Sequence, residues 1–133
     1  MNLSITGSTL EKMMKQIHVV EDDQDIRQVI ELILEGEGYE VKLFPDVTSF
    51  HASMNENIPD LYLLDVMLPD GNGLDLCREI RTTKDIKDIP IIVMSAHANS
   101  DNIFNQCSAN DFISKPFDLN DILFKIKKQI TLH

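Results

Sequence analysis

No part of this 133-residue chain approaches the ~20 consecutive apolar residues of a membrane span. Its start does not read as a secretory signal, because Leu3–Leu10 is broken by Ser, Thr and Gly and lacks a basic beginning. Basic residues are scarce: 12 Lys and Arg stand against 22 Asp and Glu, a net charge of −10. That excess opposes direct, non-specific binding to nucleic acid, whose phosphates it would repel. The only two cysteines, Cys77 and Cys107, lie in unrelated segments without metal-ligand spacing. They read as reduced thiols of a cytoplasmic protein. His18 has no second histidine at useful spacing and reads as a packed or edge residue. The length corresponds to one domain, able to bury roughly two-thirds of its unfolded surface.

What is present is organised around Asp60–Gly73. Leu61–Leu64 is apolar without alternation, as in a strand buried on both faces of a sheet, and it stops on Asp65. Pro69, Asp70 and Gly71 then supply turn chemistry. The pattern repeats along the chain. Ile17–Val20 ends in Glu21-Asp22-Asp23, and Ile91–Met94 ends on Ser95. Phe112-Ile113 leads to Lys115-Pro116-Phe117. Tyr39, Val41 and Leu43 alternate with charged residues, as in a half-exposed edge strand. Between the strands, helical spacing links Ile26, Val29, Ile30 and Ile33, then Val47, Phe50 and Met54, then Leu74, Cys77 and Ile80. Ile103, Phe104 and Cys107 mark a brief further helix. Asp118 caps a final one with inner face Leu119, Ile122, Leu123, Ile126 and Ile130.

Five strands alternating with five helices over short connections predict an α/β fold. The expected form is a doubly wound, five-stranded parallel sheet with helices on both faces. An edge strand second and buried strands first, third and fourth point to the flavodoxin-like order 2-1-3-4-5 in three α/β/α layers. The carboxyl ends of four strands then converge on one rim and bring together Glu21, Asp22, Asp65, Ser95 and Lys115. Carboxylates so close raise one another's pKa unless a cation is present, and an all-oxygen donor set suits Mg2+. A lysine and a serine hydroxyl across such a site can hold an anion. The chemistry indicated is a carboxylate nucleophile accepting a phosphoryl group.

On these residues the chain resembles the receiver domain of two-component response regulators, from Lys15 to about Ile130. The matching motifs are Val19-Val20-Glu21-Asp22-Asp23, Asp65 with Met67-Leu68-Pro69-Asp70-Gly71, Met94-Ser95-Ala96 and Lys115-Pro116-Phe117. The resemblance implies a phospho-accepting signalling protein of a phosphorelay rather than an enzyme. Limited Mg2+-dependent self-phosphorylation and self-dephosphorylation are expected of it. Asp65 is expected to take its phosphoryl group from a sensor histidine kinase or phosphotransfer protein. The resemblance further implies Mg2+ on Asp22, Asp65 and the Met67 carbonyl, with Glu21 acting mainly through metal-bound water. Counting from Arg27 leaves Asp23 outside that set. Ser95 and Phe112 take the positions of the family's switch residues, although simple strand packing remains open for Phe112. His97 either positions a hydrolytic water or is a solvated loop residue. The Lys115-Pro116 bond is expected to be cis, with Lys115 reaching back toward Asp65.

Two features depart from the family: the Ser95-to-Lys115 spacing is slightly short, and Cys107-Ser108 stands where a glycine normally ends the fourth helix. Residues 99–110, rich in Asn and Ser, are therefore expected to be the least regular part of the fold. Signalling is expected through the face of that helix, the fifth strand and the last helix, near an exposed Phe124. The resemblance implies that the same face can pair two receivers on phosphorylation. Residues 1–15 read as an N-terminal extension ahead of a receiver spanning 16–133. The chain is expected to be either a stand-alone receiver or one domain of a longer protein, acting on a separate protein target or output domain. Two other chemistries fit less well. A dehalogenase-type phosphatase wants an aspartate where Met67 stands. A flavodoxin-like phosphate loop would be repelled by Glu21-Asp22-Asp23. A scaffold-only pseudo-receiver would not need the complete residue set.

Overall fold

The computed structural model describes residues 14–96 and 106–132. Five strands form one parallel sheet: β1 (Gln16–Val20), β2 (Glu40–Phe44), β3 (Leu61–Asp65), β4 (Ile91–Ser95) and β5 (Asp111–Ser114). Their order is β2-β1-β3-β4-β5, as the strand patterns predict. Val19 pairs with Leu63, and Asp65 with Met94, so the polar strand ends come into line on one edge. β3 and β4 are buried at every position, which is why neither shows alternation.

Helices α1 (Gln24–Gly36) and α4 (Leu119–Leu132) cover one face, where Ile17, Val19, Leu61, Leu63, Ile92, Met94 and Ile113 meet Ile30, Leu34, Ile122 and Ile126. Helices α2 (Val47–Ser53) and α3 (Gly73–Arg81) cover the other, where Val20, Phe44, Tyr62, Leu64, Ile91 and Val93 meet Phe50, Leu74, Cys77 and Ile80. His18 is buried on this second face, edge-on to Phe44 and Tyr62. Burial, with Lys42 nearby, lowers its pKa to about 4, so it packs as a neutral ring.

The helix ends carry local reasons in the sequence. The Asp23 carboxylate accepts from the Ile26 amide and caps α1, while Gly38 takes φ +90° just beyond its last turn. Asn72 caps α3 through the Leu74 amide, and Asp118 accepts from Asn120 at the start of α4. The Lys115-Pro116 bond is cis, as expected.

Two expectations are corrected, and one short ladder is added. Leu119 is exposed rather than part of the inner face of α4, and Gln129 is buried there instead. Met67–Leu68 pairs antiparallel with Gly71–Asn72, a short ladder hidden by the turn residues between them. Cys77 and Cys107 do not lie in unrelated parts of the fold: their Cα atoms lie 6.0 Å apart and their sulfurs face one another. Both residues pack beneath β4 in one apolar cluster, a tertiary neighbourhood that their separation of 30 positions conceals. His97, Ile103, Phe104 and most of the 99–110 segment lie outside the described residues.

Candidate functional site

The rim at the carboxyl ends of the strands is built from backbone first. The Glu21 amide donates to the Phe44 carbonyl, and the Val66 amide to the Met94 carbonyl, so both acidic strand ends are tied to their neighbours. The Lys115 amide donates to the Ser95 carbonyl, which ties β5 to β4 just where Lys115 leaves the sheet. Arg27 on α1 donates to the carbonyls of Glu21 and Asp22, each at 2.8 Å, and clamps the acidic turn. Asp23 is committed to capping α1. That division of the acidic triplet was legible only in part from the position of Arg27.

Glu21, Asp22 and Asp65 each direct a carboxylate oxygen to one place, all within 4.8 Å of one another. Glu21 and Asp65 are buried, and Asp22 is exposed. Lys115 crosses the site: its ammonium donates to Glu21 at 2.5 Å and to Asp65 at 3.1 Å. Burial, then the neighbouring Asp65, pushes the Glu21 pKa up, and burial with the adjacent Glu21 does the same to Asp22. Burial pulls against the Lys115 charge, but the hydrogen bonds to Glu21 and Asp65 outweigh it and raise the lysine pKa. Three carboxylates thus share one ammonium. A hard divalent cation is the counter-charge that this all-oxygen donor set fits.

Ser95 is buried at the end of β4. Met67 is exposed, and its amide lies 3.4 Å from an Asp65 oxygen, a long hydrogen bond. Phe112 is half-buried and packs against the cluster beneath α3. The Lys125 ammonium lies 5.4 Å from the Phe112 ring centroid and donates to the Phe112 carbonyl at 2.9 Å.

Sequence reasoning missed several supports of the rim. Lys125 was signalled only by its i, i+4 partner Asp121, with which it pairs at 3.2 Å. Asp70 accepts from the Val47 and Thr48 amides and the Thr48 hydroxyl, joining the turn after β3 to the start of α2. These bonds hold its carboxyl pKa below the ordinary range. Gly73 packs so tightly on the Asp65 carbonyl that a Cβ would collide with it.

A sequence profile described as "Response regulator receiver domain" matches residues 17–127. The chain belongs to this family. As a receiver it is 42% identical over 110 residues to "Transcriptional regulatory protein CseB" of Streptomyces avermitilis, covering 80% of this chain and 46% of that protein. It spans about half the length of the curated relatives it matches. Among solved structures, response regulator TrrA of Thermotoga maritima, in complex with Mg2+-BeF, shares the receiver fold with TM-score 0.77 and 31% identity over 87% of this chain and 99% of that one. The receiver domain of sensor histidine kinase PA1611 of Pseudomonas aeruginosa, with a magnesium ion coordinated in its active-site cleft, gives TM-score 0.79 at 29% identity, covering 89% and 98%. No helix among the described residues of this receiver is long and apolar enough to cross a membrane.

Proposed function

We propose that Asp65 accepts a phosphoryl group from the phosphohistidine of a sensor histidine kinase or phosphotransfer protein. The phosphorus–nitrogen bond of the donor breaks as a bond forms between phosphorus and an Asp65 oxygen. The imidazole keeps the bonding pair. The observation that carries this reading is the Lys115 ammonium bridging buried Glu21 and Asp65 beside the Asp22 carboxylate. A lysine so placed can follow the charge from the carboxylate to a phosphoryl oxygen as it develops. Mg2+ would be held by Asp22, Asp65 and the Met67 carbonyl, with Glu21 reaching it through water, and when bound it supplies positive charge to the phosphoryl oxygens.

Ser95 then donates its hydroxyl to a phosphoryl oxygen, and Phe112 packs inward behind it, altering the surface of β5 and α4. That surface contacts the output, either a second receiver or a downstream protein. Names such as that of CseB favour a transcriptional output on a separate domain. The receiver proper occupies residues 16–133, residues 1–15 are an extension, and the site of action is the cytoplasm. Incubation with acetyl phosphate, read by intact mass, tests the metal requirement. The adduct should form with Mg2+ and fail to form with EDTA. Equal adduct under both conditions would contradict the proposed site.

A further inference from the structure

Cys77 lies on α3, whose first residue packs on Asp65, and Cys107 lies shortly before β5. The backbone on either side of Cys107 is fixed to the same helix: Arg78 donates to the Gln106 carbonyl at 2.7 Å, and Arg81 to the Ser108 carbonyl at 2.8 Å. These bonds do not involve sulfur. They hold Cys107 over the turn that carries Cys77 even when no covalent link exists, so the two sulfurs meet at high effective concentration. A Cα separation of 6.0 Å lies within the range that a disulfide spans. Cys77 is wholly buried, while Cys107 is flanked by exposed Gln106 and Ser108. Both are buried, Cys77 at 0% and Cys107 at 5% exposure, and Cys107 is the less enclosed of the two.

From this arrangement we infer that Cys77 and Cys107 form a reversible thiol–disulfide site linking α3 to the segment that leads into β5. In a reducing compartment, where stable disulfides are rare, such a pair rests as dithiol and closes under oxidation. The oxidant is a small disulfide of the glutathione class. The Cys107 thiolate attacks it, releasing one small thiol and leaving a mixed disulfide. The Cys77 thiolate then displaces the second small thiol. Two S–H bonds are lost and one protein S–S bond forms, with two electrons passing to the small disulfide. The closed loop contains β4 and Ser95, so oxidation restrains residues 106–110, which lead into β5. This consequence rests on the switch proposed above, whereas the thiol chemistry does not.

The test treats the full chain with oxidised glutathione, then denatures it and alkylates free thiols. Oxidised chain should lose both alkylation sites and two hydrogens of mass, and dithiothreitol should restore them. Cys77→Ser should instead carry one glutathione on Cys107. A wild-type chain that keeps two alkylatable thiols, or takes up two glutathiones, overturns the site. Hydrogen exchange with and without beryllofluoride then compares the two redox forms. Residues 106–114 should respond less when oxidised. Equal responses overturn the restraint, and no response in either form counts against the phosphorylation switch instead.

Discussion

Gly73 lies against Asp65 so closely that a Cβ on the glycine would fall 2.7 Å from the Asp65 carbonyl carbon, nearer still to its oxygen, and 3.2 Å from the Val66 Cα. All three of these atoms are backbone, so no flexible side chain can yield. The first turn of α3 and the end of β3 are thus packed main chain on main chain. The Gly73 amide donates to the Val66 carbonyl at 2.9 Å across the same contact.

Gly73→Ala should therefore destabilise the fold by about 1–3 kcal/mol, the usual cost of overpacking, and displace Asp65. Urea denaturation reads the first effect, and the rate of phosphorylation by acetyl phosphate the second. Gly36→Ala is the control, since nothing lies within 4 Å of a Cβ there. It should leave both properties unharmed. Equal behaviour of the two variants would show that the close approach has no consequence.

Lys115→Met should destabilise the metal-free protein by ~3–5 kcal/mol, because Glu21 and Asp65 would remain buried without a cationic partner. Asp65→Asn removes one of the repelling carboxylates and keeps the Lys115–Glu21 pair, so it should be at least as stable as wild type in EDTA. Chemical denaturation of the three proteins in EDTA gives the order. Lys115→Met as stable as Asp65→Asn would contradict the electrostatic account.

His18 makes stability depend on pH. Its folded pKa of about 4 lies below the ordinary 6.5, so the unfolded chain binds the proton more readily. The contribution is fully present above pH 6.5 and is lost as pH falls toward 4. Between pH 7 and pH 5 this group should cost about 2 kcal/mol. His18→Leu should gain stability relative to wild type by that margin over the same interval. A difference between the two proteins that does not change with pH would contradict a buried neutral histidine.

Arg81 donates to the carbonyls of Lys87, Ile89 and Ser108 and to the Asn110 side chain, whose oxygen also accepts from the Ile91 amide. This one guanidinium gathers the end of α3 and both ends of the chain around β4. Arg81→Ala should cost ~2 kcal/mol in urea denaturation, and Arg81→Lys should recover little of it, because an ammonium lacks the planar fork. Full recovery by lysine would show that charge rather than geometry matters here.

Strand positions and the polar residues that end them were legible because a strand buried on both faces leaves an uninterrupted apolar run. The contrast of edge and buried strands pointed to their order, and the resemblance then supplied the cis bond before Pro116. Contacts between distant segments were not legible. Asp70 reaching Thr48, the Cys77–Cys107 pair and the Gly73 approach to Asp65 all depend on how helices seat on the sheet. Periodicity carries no information about that seating. On α4 the apolar spacing named Leu119 but passed over Gln129, because its helical rotation is set by packing against β3, β5 and α1 rather than by hydropathy alone.

The proposed function requires that Asp65, and no other carboxylate of the rim, accept the phosphoryl group. Asp22, exposed within the same cluster, is the internal competitor. Intact mass of wild type and Asp65→Asn after incubation with acetyl phosphate and Mg2+ decides between them. Wild type should gain about 80 Da, one phosphoryl group, and Asp65→Asn should gain nothing. The same gain on Asp65→Asn would contradict the assignment.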